Sequence, residues 1–370
     1  MTKYSIAKEG ETSKSYNSSA GPGNLKTVEE ENELMSTTAP VTPERIMQFA
    51  WGYVPTLVIE TALKHRVFDV LEEGPKTLHE TVVATGASER GLRAAMNVLV
   101  GLGFLAKDGE KYGLTPESET FLVSTKPGFQ GGIFKHASKQ LIPKWLHLND
   151  AVASGRPPKP VNQEGDGSEF FQGFVKDIFP LSYPAATVLG KHLALAQRKG
   201  VVRVLDLAAG SGVWGIGLAQ SADNVTVTAV DWEGVLPATQ ETAGHFRMAN
   251  RFTFIAGDLN TVDFGGDYDV ATLGHILHSE GETKSKALLK KTFAALKSGG
   301  TIAIAEFLVN DDRKGPVGSL LFAANMLVNT DEGDTFSFEE ISGWLKDAGF
   351  TDARLLEAPG PSPLVLATKP

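Results

Sequence analysis

The chain has 370 residues, of which 42% are hydrophobic, and its formal net charge is -9 at pH 7. This length exceeds one ordinary domain and favours two. The acidic balance argues against a nucleic-acid partner, because such binding depends on clustered Lys and Arg that neutralise phosphates. The sequence contains no cysteine, which excludes disulfides, thiolate metal sites and thiol nucleophiles.

Nothing in the first 40 residues of the sequence indicates secretion. Residues 1–40 lack the apolar region of a signal peptide, and no run of 18 apolar residues occurs anywhere. We therefore expect a cytoplasmic protein with no membrane partner. Residues 1–40 are rich in Ser, Thr, Lys, Glu, Gly and Asn, a composition that predicts a flexible leader because it buries too little apolar surface.

Residues 41–125 have the pattern of a winged helix. Apolar residues recur at three- and four-residue spacing from Thr42 and predict two helices with a break near residues 52–55. A further helix, a turn, a helix capped by Ser88 and two short strands around the turn at residues 108–109 follow. The second of these helices is mostly apolar, so we expect packing or dimerisation rather than DNA readout.

Residues 126–199 are expected to form a helical region that lines a substrate site. An aromatic-rich stretch there contains Phe170, Phe171, Phe174 and Phe179. Together with two residues of a later helix, Phe322 and Met326, these side chains can form an apolar pocket for an aromatic substrate. Ordinary core packing at helical spacing is the alternative for each of them.

Residues 200–370 alternate between strands and helices. Seven apolar segments predict strands, and helices separate most of them, which is the pattern of a doubly wound, mostly parallel α/β sheet of the Rossmann-like type. A short link joins the last two strands and predicts one antiparallel partner. The expected fold is thus this seven-stranded sheet preceded by a domain that is all-helical apart from the two wing strands.

Polar residues collect where four successive strands end. Because ligands of open α/β sheets bind beyond the carboxyl ends of the strands, one crevice is expected to hold Asp206, Gly210, Asp231, Asp258 and residues 275–278.

The glycines at 210, 212 and 215 form G-x-G-x-x-G, which alone fits a dinucleotide as well as other ligands. Asp231 suits the ribose of either ligand. Asp206 would repel a pyrophosphate but suits an ammonium group, and Asp258 suits an adenine amino group, so S-adenosylmethionine is favoured over NAD.

The segment "VLDLAAGSG" resembles the first motif of class I S-adenosylmethionine-dependent methyltransferases. Val230-Asp231, Gly257-Asp258 and "LKSGGTIAIAEF" resemble the motifs that follow it in order. From Thr42 to Pro370 the chain is similar to the small-molecule O-methyltransferases that include caffeate, isoflavone, acetylserotonin and bacterial polyketide enzymes. The resemblance implies a homodimer, a role in secondary metabolism, S-adenosylmethionine as cofactor with S-adenosylhomocysteine as product, and no metal.

The resemblance also implies two catalytic residues, which join the binding residues expected from the pattern. The family's catalytic histidine falls on His278, and an acid that orients its ring falls on Glu306. The expected cofactor-binding residues are Asp206, Gly210, Gly212, Asp231, Trp232, Asp258 and Leu259. The expected substrate-binding residues are Phe174, His275, Phe322 and Met326. The chain departs from the family at residues 279–280, where Ser-Glu replaces the common Asp-Trp, and near Thr335, where a second acid is missing.

Histidine suits the chemistry of methyl transfer to a phenol, because a base of pKa about 6.5 can take the proton as the new bond forms. Other readings stay open. The altered residues after His278 are compatible with an enzyme that binds S-adenosylmethionine without transferring its methyl group, and transfer to nitrogen or carbon is a further alternative. His275 and His278 form at most a weak metal pair, because the sequence offers no third ligand of clear spacing.

Overall fold

The computed structural model describes residues 41–360 and 363–370. The predicted flexible leader, residues 1–40, lies outside the described residues. The chain divides after Gly52 into two compact units. In the first unit the structure describes one helix, α1 (Glu44–Ala50), on which Ile46 and Phe49 are largely exposed.

The second unit begins with a winged helix, as the sequence predicts. Its helices are α2 (Val54–Lys64), α3 (Val67–Glu72), α4 (Leu78–Thr85) and α5 (Glu89–Gly101). The Ser88 hydroxyl accepts a hydrogen bond from the Gly91 N–H and caps α5, as predicted. The strands are β1 (Lys76–Thr77), β2 (Leu105–Asp108) and β3 (Lys111–Leu114), paired antiparallel in the order β1-β3-β2. The sequence analysis missed β1.

A run of mostly short helices follows. They are α6 (Pro116–Phe121), α7 (Gly132–His136), α8 (Ile142–Trp145), α9 (Leu148–Ser154), α10 (Glu164–Gln172) and α11 (Phe179–His192). One π-helical turn, Ala137–Leu141, joins α7 to α8. Such turns are rare and often lie at functional sites.

The remaining chain forms the α/β sheet. Its strands are β4 (Val202–Leu207), β5 (Val225–Asp231), β6 (Phe252–Ala256), β7 (Tyr268–Gly274), β8 (Leu296–Ala305), β9 (Thr351–Leu356) and β10 (Leu364–Thr368). The order is β6-β5-β4-β7-β8-β10-β9, and β10 runs antiparallel to both of its neighbours. The predicted seven-stranded, mostly parallel fold is confirmed. The antiparallel strand lies between two others rather than at the edge.

Helices cover both faces of this sheet. They are α12 (Val213–Ser221), α13 (Leu236–His245), α14 (Leu277–Ala295), α15 (Val317–Leu327) and α16 (Phe338–Ala348). The sheet therefore has a buried hydrophobic cluster on each face. Strand β4 contributes to both, because its side chains alternate between the faces: Val202 and Val204 belong to one cluster, and Leu205 and Leu207 belong to the other. Within the described residues, none of the helices is both long and apolar enough to span a bilayer.

The strand order reverses between β4 and β7, since β5 and β6 lie on one side of β4 and the later strands on the other. Loops after neighbouring strands diverge at such a point and leave a crevice at the carboxyl edge of the sheet. The candidate site is in this crevice.

Candidate active site

A cavity of about 300 Å³ opens at the carboxyl ends of β4, β5, β6 and β7. Three parts of the chain line it: the loops after these strands, the helical run from α7 to α11, and α15. Apolar side chains predominate, and among the described residues that line it there is no Lys or Arg. Among these residues the cavity therefore offers no cationic side chain to a ligand.

Asp231 is held at the cavity wall by main-chain donors. Its Oδ2 accepts a hydrogen bond from the Gly210 N–H at 2.7 Å, and its Oδ1 accepts one from the Trp232 N–H at 2.7 Å. Burial raises the pKa of this carboxyl to about 6. Gly210 lies in the left-handed region at φ 56°, and its carbonyl accepts a hydrogen bond from the Thr239 hydroxyl. Two strand ends are thereby joined into one rigid wall.

Two predicted cofactor residues do not line the cavity. Asp206 is fully buried, where its Oδ2 accepts a hydrogen bond from the Gly215 N–H at 2.9 Å and its Oδ1 accepts one from the Thr272 hydroxyl at 2.7 Å. This carboxyl therefore connects α12 to the sheet, and the direct contact with a ligand ammonium predicted from the sequence does not fit this position. Burial raises its pKa to about 7.

Gly212 has a packing role instead. It precedes α12 at φ 77°, and a Cβ atom there would lie 2.8 Å from Thr239 Cγ2.

Trp232, Asp258 and Leu259 all line the cavity, as predicted. Asp258 Oδ1 accepts hydrogen bonds from the N–H and the side-chain amide of Asn260. Asn260 and Glu280 also line this part of the wall and were not predicted as site residues. Burial raises the pKa of the Glu280 carboxyl. The unusual Ser-Glu pair after His278 thus lies at the cavity itself.

His278 and Glu306 form a buried pair at the ends of β7 and β8. The histidine Nδ1 lies 2.7 Å from Glu306 Oε2, and the His278 main-chain N–H donates to Glu306 Oε1 at 3.2 Å. Burial opposes ionisation of Glu306, but the attraction of His278 and these hydrogen bonds outweigh it and hold the carboxyl pKa below its ordinary value. An ionised Glu306 requires Nδ1–H on the ring, so in the neutral form of His278 the lone pair is on Nε2.

His275 lines the cavity beside this pair. Its backbone is left-handed at φ 61°, which is uncommon for a residue with a side chain, and its buried Nδ1 has no hydrogen-bond partner. Burial lowers the pKa of this ring to about 4. The His275 ring is therefore neutral at pH 7.

The structure supplies the third candidate metal ligand that the sequence lacked, because polar atoms of His275, His278 and Glu306 lie within 4.8 Å of one another. Two ligands at about 2.0 to 2.2 Å from a tetrahedral zinc are roughly 3.4 Å apart. The 2.7 Å contact between His278 and Glu306 is shorter and fits a hydrogen bond better than a shared ion.

The predicted aromatic wall is present. Phe174, Phe322 and Met326 line the cavity. The Phe322 ring meets His278 edge-on at a centroid distance of 4.8 Å. Phe170 and Phe171 also line it, whereas Phe179 stacks on Tyr183 and Phe246 against the core of the sheet domain. The prediction for Phe179 as a pocket residue is wrong, because the start of α11 turns its side chain towards that core.

His136 is a cavity residue that the sequence analysis missed. It ends α7, lines the cavity, and stacks on Phe174 at a centroid distance of 4.0 Å. No motif surrounds it, and a histidine in a helical stretch without a recognisable pattern gives no signal of its place in the fold.

An open sheet in this strand order, with an acid at the end of its second strand and a glycine turn after its first, defines a class I methyltransferase. Residues 145–351 match the O-methyltransferase domain, and residues 47–124 match the O-methyltransferase dimerisation domain. The chain belongs to the O-methyltransferase family. The predicted enzyme class and methyl donor, S-adenosylmethionine, are confirmed with it.

Individual relatives extend over most of the chain. The 3-hydroxy-5-methyl-1-naphthoate 3-O-methyltransferase of Streptomyces sahachiroi is 29% identical over 88% of this chain and 95% of its own. The acetylserotonin O-methyltransferase of Gallus gallus is 30% identical over 85% of this chain and 93% of its own. The structure of human N-acetylserotonin methyltransferase in complex with S-adenosylmethionine covers 90% of this chain and 99% of its own at 23% identity, with a TM-score of 0.78, and shows the shared fold.

The residues of the cavity fit the methyl donor. An acid on the wall, Asp231, can receive a ribose diol, and the absence of Lys and Arg among the described lining residues suits a ligand with a positive sulfonium. Trp232 and Leu259 offer apolar surface for a purine ring.

Proposed function

We propose that this enzyme methylates a hydroxyl group of a planar aromatic or polyketide-like small molecule, with His278 as the general base. The observation that carries the proposal is the buried His278–Glu306 pair at the wall of a cavity lined by aromatic rings. Two relatives are named for aromatic compounds, a hydroxynaphthoate and acetylserotonin. A cavity with Phe174 and Phe322 on its walls suits such flat rings.

The donor site in this proposal is the wall around Asp231. The Asp231 carboxylate accepts hydrogen bonds from the ribose hydroxyls, and Gly210 allows the ligand to approach the backbone. Trp232 and Leu259 flank the purine ring. Asp258, which also lines the cavity, accepts a hydrogen bond from the purine amino group. When bound, S-adenosylmethionine supplies an electrophilic methyl carbon on a sulfonium.

The chain's own contribution is to hold the acceptor and take its proton. Glu306 fixes the ring of His278 with Nδ1–H towards the carboxylate, so that Nε2 can accept the hydroxyl proton. The negative charge of the Glu306 carboxylate stabilises the imidazolium that forms on His278. Phe322, edge-on to the His278 ring, and the neighbouring aromatic rings limit how the acceptor can lie and exclude water.

The assembly and location belong to the same proposal. Residues 47–124 match a dimerisation domain, and α1 with the residues after it carries exposed Ile46, Phe49 and Trp51. Exposed apolar side chains of this size are typical of a protein interface. We infer a homodimer formed through the N-terminal helices and a cytoplasmic enzyme, which size-exclusion chromatography with light scattering and cell fractionation would test.

The test uses His278→Ala with 2-naphthol and other phenols as acceptors and methyl-labelled S-adenosylmethionine. We expect methyl transfer to fall by about 10² to 10⁴, while the dissociation constant of S-adenosylhomocysteine stays near that of the wild type. His79→Ala, a change of an exposed histidine, is the matched control. Unchanged turnover in His278→Ala would remove the base from the mechanism. Tight donor binding by the wild type without transfer to any acceptor would favour a non-methylating reaction.

A further inference from the structure

His136 is a second histidine at the cavity, separate from the His278–Glu306 pair. Its side chain is buried, with an exposed fraction of 7%, and its ring packs flat on Phe174 with an interplanar angle of 17°. The edge of the Phe170 ring lies 5.7 Å away between centroids. Aromatic contacts therefore fix the ring in place at the wall of the cavity.

A hydrogen-bond relay fixes which nitrogen of His136 carries the proton. The Gln140 Nε2 donates to the main-chain oxygen of Phe170 at 2.9 Å, which orients the amide. Gln140 Oε1 then faces His136 Nδ1 at 2.6 Å and can only accept. Nδ1 must carry hydrogen, and Nε2 must carry the lone pair.

The relay joins two side chains of the same helical run. His136 and Gln140 are four residues apart, at the boundary between α7 and the π-helical turn Ala137–Leu141. Residues at this spacing lie on one face of a helix, and the hydrogen bond from Gln140 to the Phe170 oxygen shows that this face meets α10.

The ring is neutral as well as fixed. Burial lowers the pKa of His136 and outweighs the opposing influences of the Gln140 hydrogen bond and Asp177. The Asp177 carboxylate is paired with Lys135 Nζ at 2.9 Å. Among the described residues, Nε2 has no hydrogen-bond partner, and the residue lines the cavity. The cavity thus contains an acceptor atom that a ligand can satisfy.

We propose that His136 Nε2 accepts a hydrogen bond from a second hydroxyl of the methyl acceptor, so that the enzyme selects dihydroxylated aromatic compounds over monohydroxylated ones. The inference rests on the proposed function, since it concerns the acceptor of the same reaction. One hydroxyl meets His278 and loses its proton. The other meets His136, keeps its proton and sets the orientation of the ring system.

The size of the preference follows from the general behaviour of such contacts. A hydrogen bond to a ligand that replaces one to water contributes modestly to the binding free energy, whereas a buried polar group that is left without a partner weakens binding more strongly. A site built to receive a hydroxyl therefore disfavours the analogue that lacks it. We expect kcat/KM for the best-fitting diol to exceed that of the matching monohydroxy compound by about tenfold to a hundredfold.

The experiment compares 1,5-, 1,6- and 2,7-naphthalenediol with 1- and 2-naphthol as acceptors. The three diols place the second hydroxyl at different separations from the first. In the wild type, at least one diol should show the preference in kcat/KM. In His136→Phe, which keeps a flat ring against Phe174 but lacks the nitrogen, the ratio should fall to about one. His79→Phe, a change on the surface, should retain the wild-type ratio.

Binding and tautomer measurements keep the test independent of turnover. Calorimetry on the complex with S-adenosylhomocysteine should show the same diol preference in Kd for the wild type and its loss in His136→Phe. Nitrogen NMR of histidine-labelled protein, with His136 assigned by its absence in the variant, should show Nδ1 protonated and Nε2 unprotonated. Gln140→Leu removes the partner of Nδ1 and should weaken both the tautomer signal and the preference.

Each outcome decides something. If the wild type methylates naphthols and diols equally, or if His136→Phe keeps the preference while it melts at the wild-type temperature, the role of His136 is wrong and the proposed function stands. If no aromatic hydroxyl is methylated at all, the proposed function fails. In that case, a diol preference in Kd that His136→Phe abolishes would still support the hydrogen bond.

Discussion

The main-chain N–H of Gly210 donates to Asp231 Oδ2 at 2.7 Å and thereby joins the turn after β4 to the end of β5. The other oxygen of Asp231 accepts from the Trp232 N–H. Both donors point at the carboxylate before any ligand arrives, so the acid is oriented for a diol without rearrangement of the loop. Burial of this carboxyl raises its pKa to about 6.

This pKa predicts how donor binding depends on pH. A ribose diol is best received by the ionised carboxylate, and protonation of Asp231 sets in as pH falls through about 6. The Kd of S-adenosylhomocysteine should therefore be flat above pH 7 and rise by up to about tenfold per pH unit below 6. Calorimetry between pH 5 and 8 measures this. Asp231→Asn should bind weakly at every pH, whereas Asp347→Asn, on the surface, should behave as the wild type. A flat wild-type profile would exclude Asp231 as the titrating group.

Glu306 should matter for catalysis rather than for binding. In Glu306→Gln the amide can donate to His278 Nδ1, which would favour the tautomer with hydrogen on Nε2 and remove the base. We expect kcat to fall by about 10² to 10⁴, as for wrong-tautomer variants of other histidine bases, with the Kd of S-adenosylhomocysteine unchanged. Glu282→Gln, an exposed residue of α14 paired with Lys286, is the control. Retained kcat in Glu306→Gln would show that the carboxylate does not act through the ring.

The sheet was predictable because its strands are short apolar runs between clear turn signals. β5 and β7 have the bounds expected from "VTVTAVD" and "YDVATLG". Their carboxyl ends must meet at one edge of a parallel sheet, so the local pattern already brought Asp231 and His278 together. The resemblance to the O-methyltransferases, rather than the local pattern, added Glu306, which directly follows β8.

Other parts of the site depend on tertiary packing that leaves no local pattern. His136 lines the cavity from the end of α7, and periodicity alone does not show which face of so short a helix meets a ligand. Asp206 matches a ligand-binding motif, but it lies beneath the loop and binds the start of α12. Sequence spacing places a residue at a strand end without telling whether it faces the cavity or the sheet.

Asp206 should make the protein less stable as pH rises. Burial raises its folded-state pKa from 3.8 to about 7, so the folded protein holds a proton that the unfolded chain has released between these values. The contribution of Asp206 to the free energy of unfolding is therefore largest below pH 3.8. It falls as pH rises towards 7, by on the order of 4 kcal/mol in total. Asp206→Asn should flatten the change in unfolding free energy between pH 5 and 8.

The measurement is urea denaturation of both proteins at each pH. The pKa of Asp231 is also raised, so this group lowers the unfolding free energy with rising pH as well. The effect of Asp206 is therefore read from the difference in pH slope between the wild type and the variant. An identical pH slope in the two proteins would mean that Asp206 titrates normally in the fold.

The contact between α11 and α12 should depend on Gly217. A Cβ atom there would lie 2.6 Å from Ala186 Cβ and 2.9 Å from the Ala186 main-chain carbon, and a backbone atom cannot move aside without shifting the helix. Gly217→Ala should therefore destabilise by about 1 to 3 kcal/mol despite the better helix propensity of alanine. Gly244→Ala in α13, where nothing lies within 4 Å of the added atom, should be neutral or slightly stabilising. Equal unfolding free energies for the two variants in urea would contradict the close approach of the helices. Since α12 begins at the glycine turn of the donor site, a shift of this helix should also weaken binding of S-adenosylhomocysteine in Gly217→Ala.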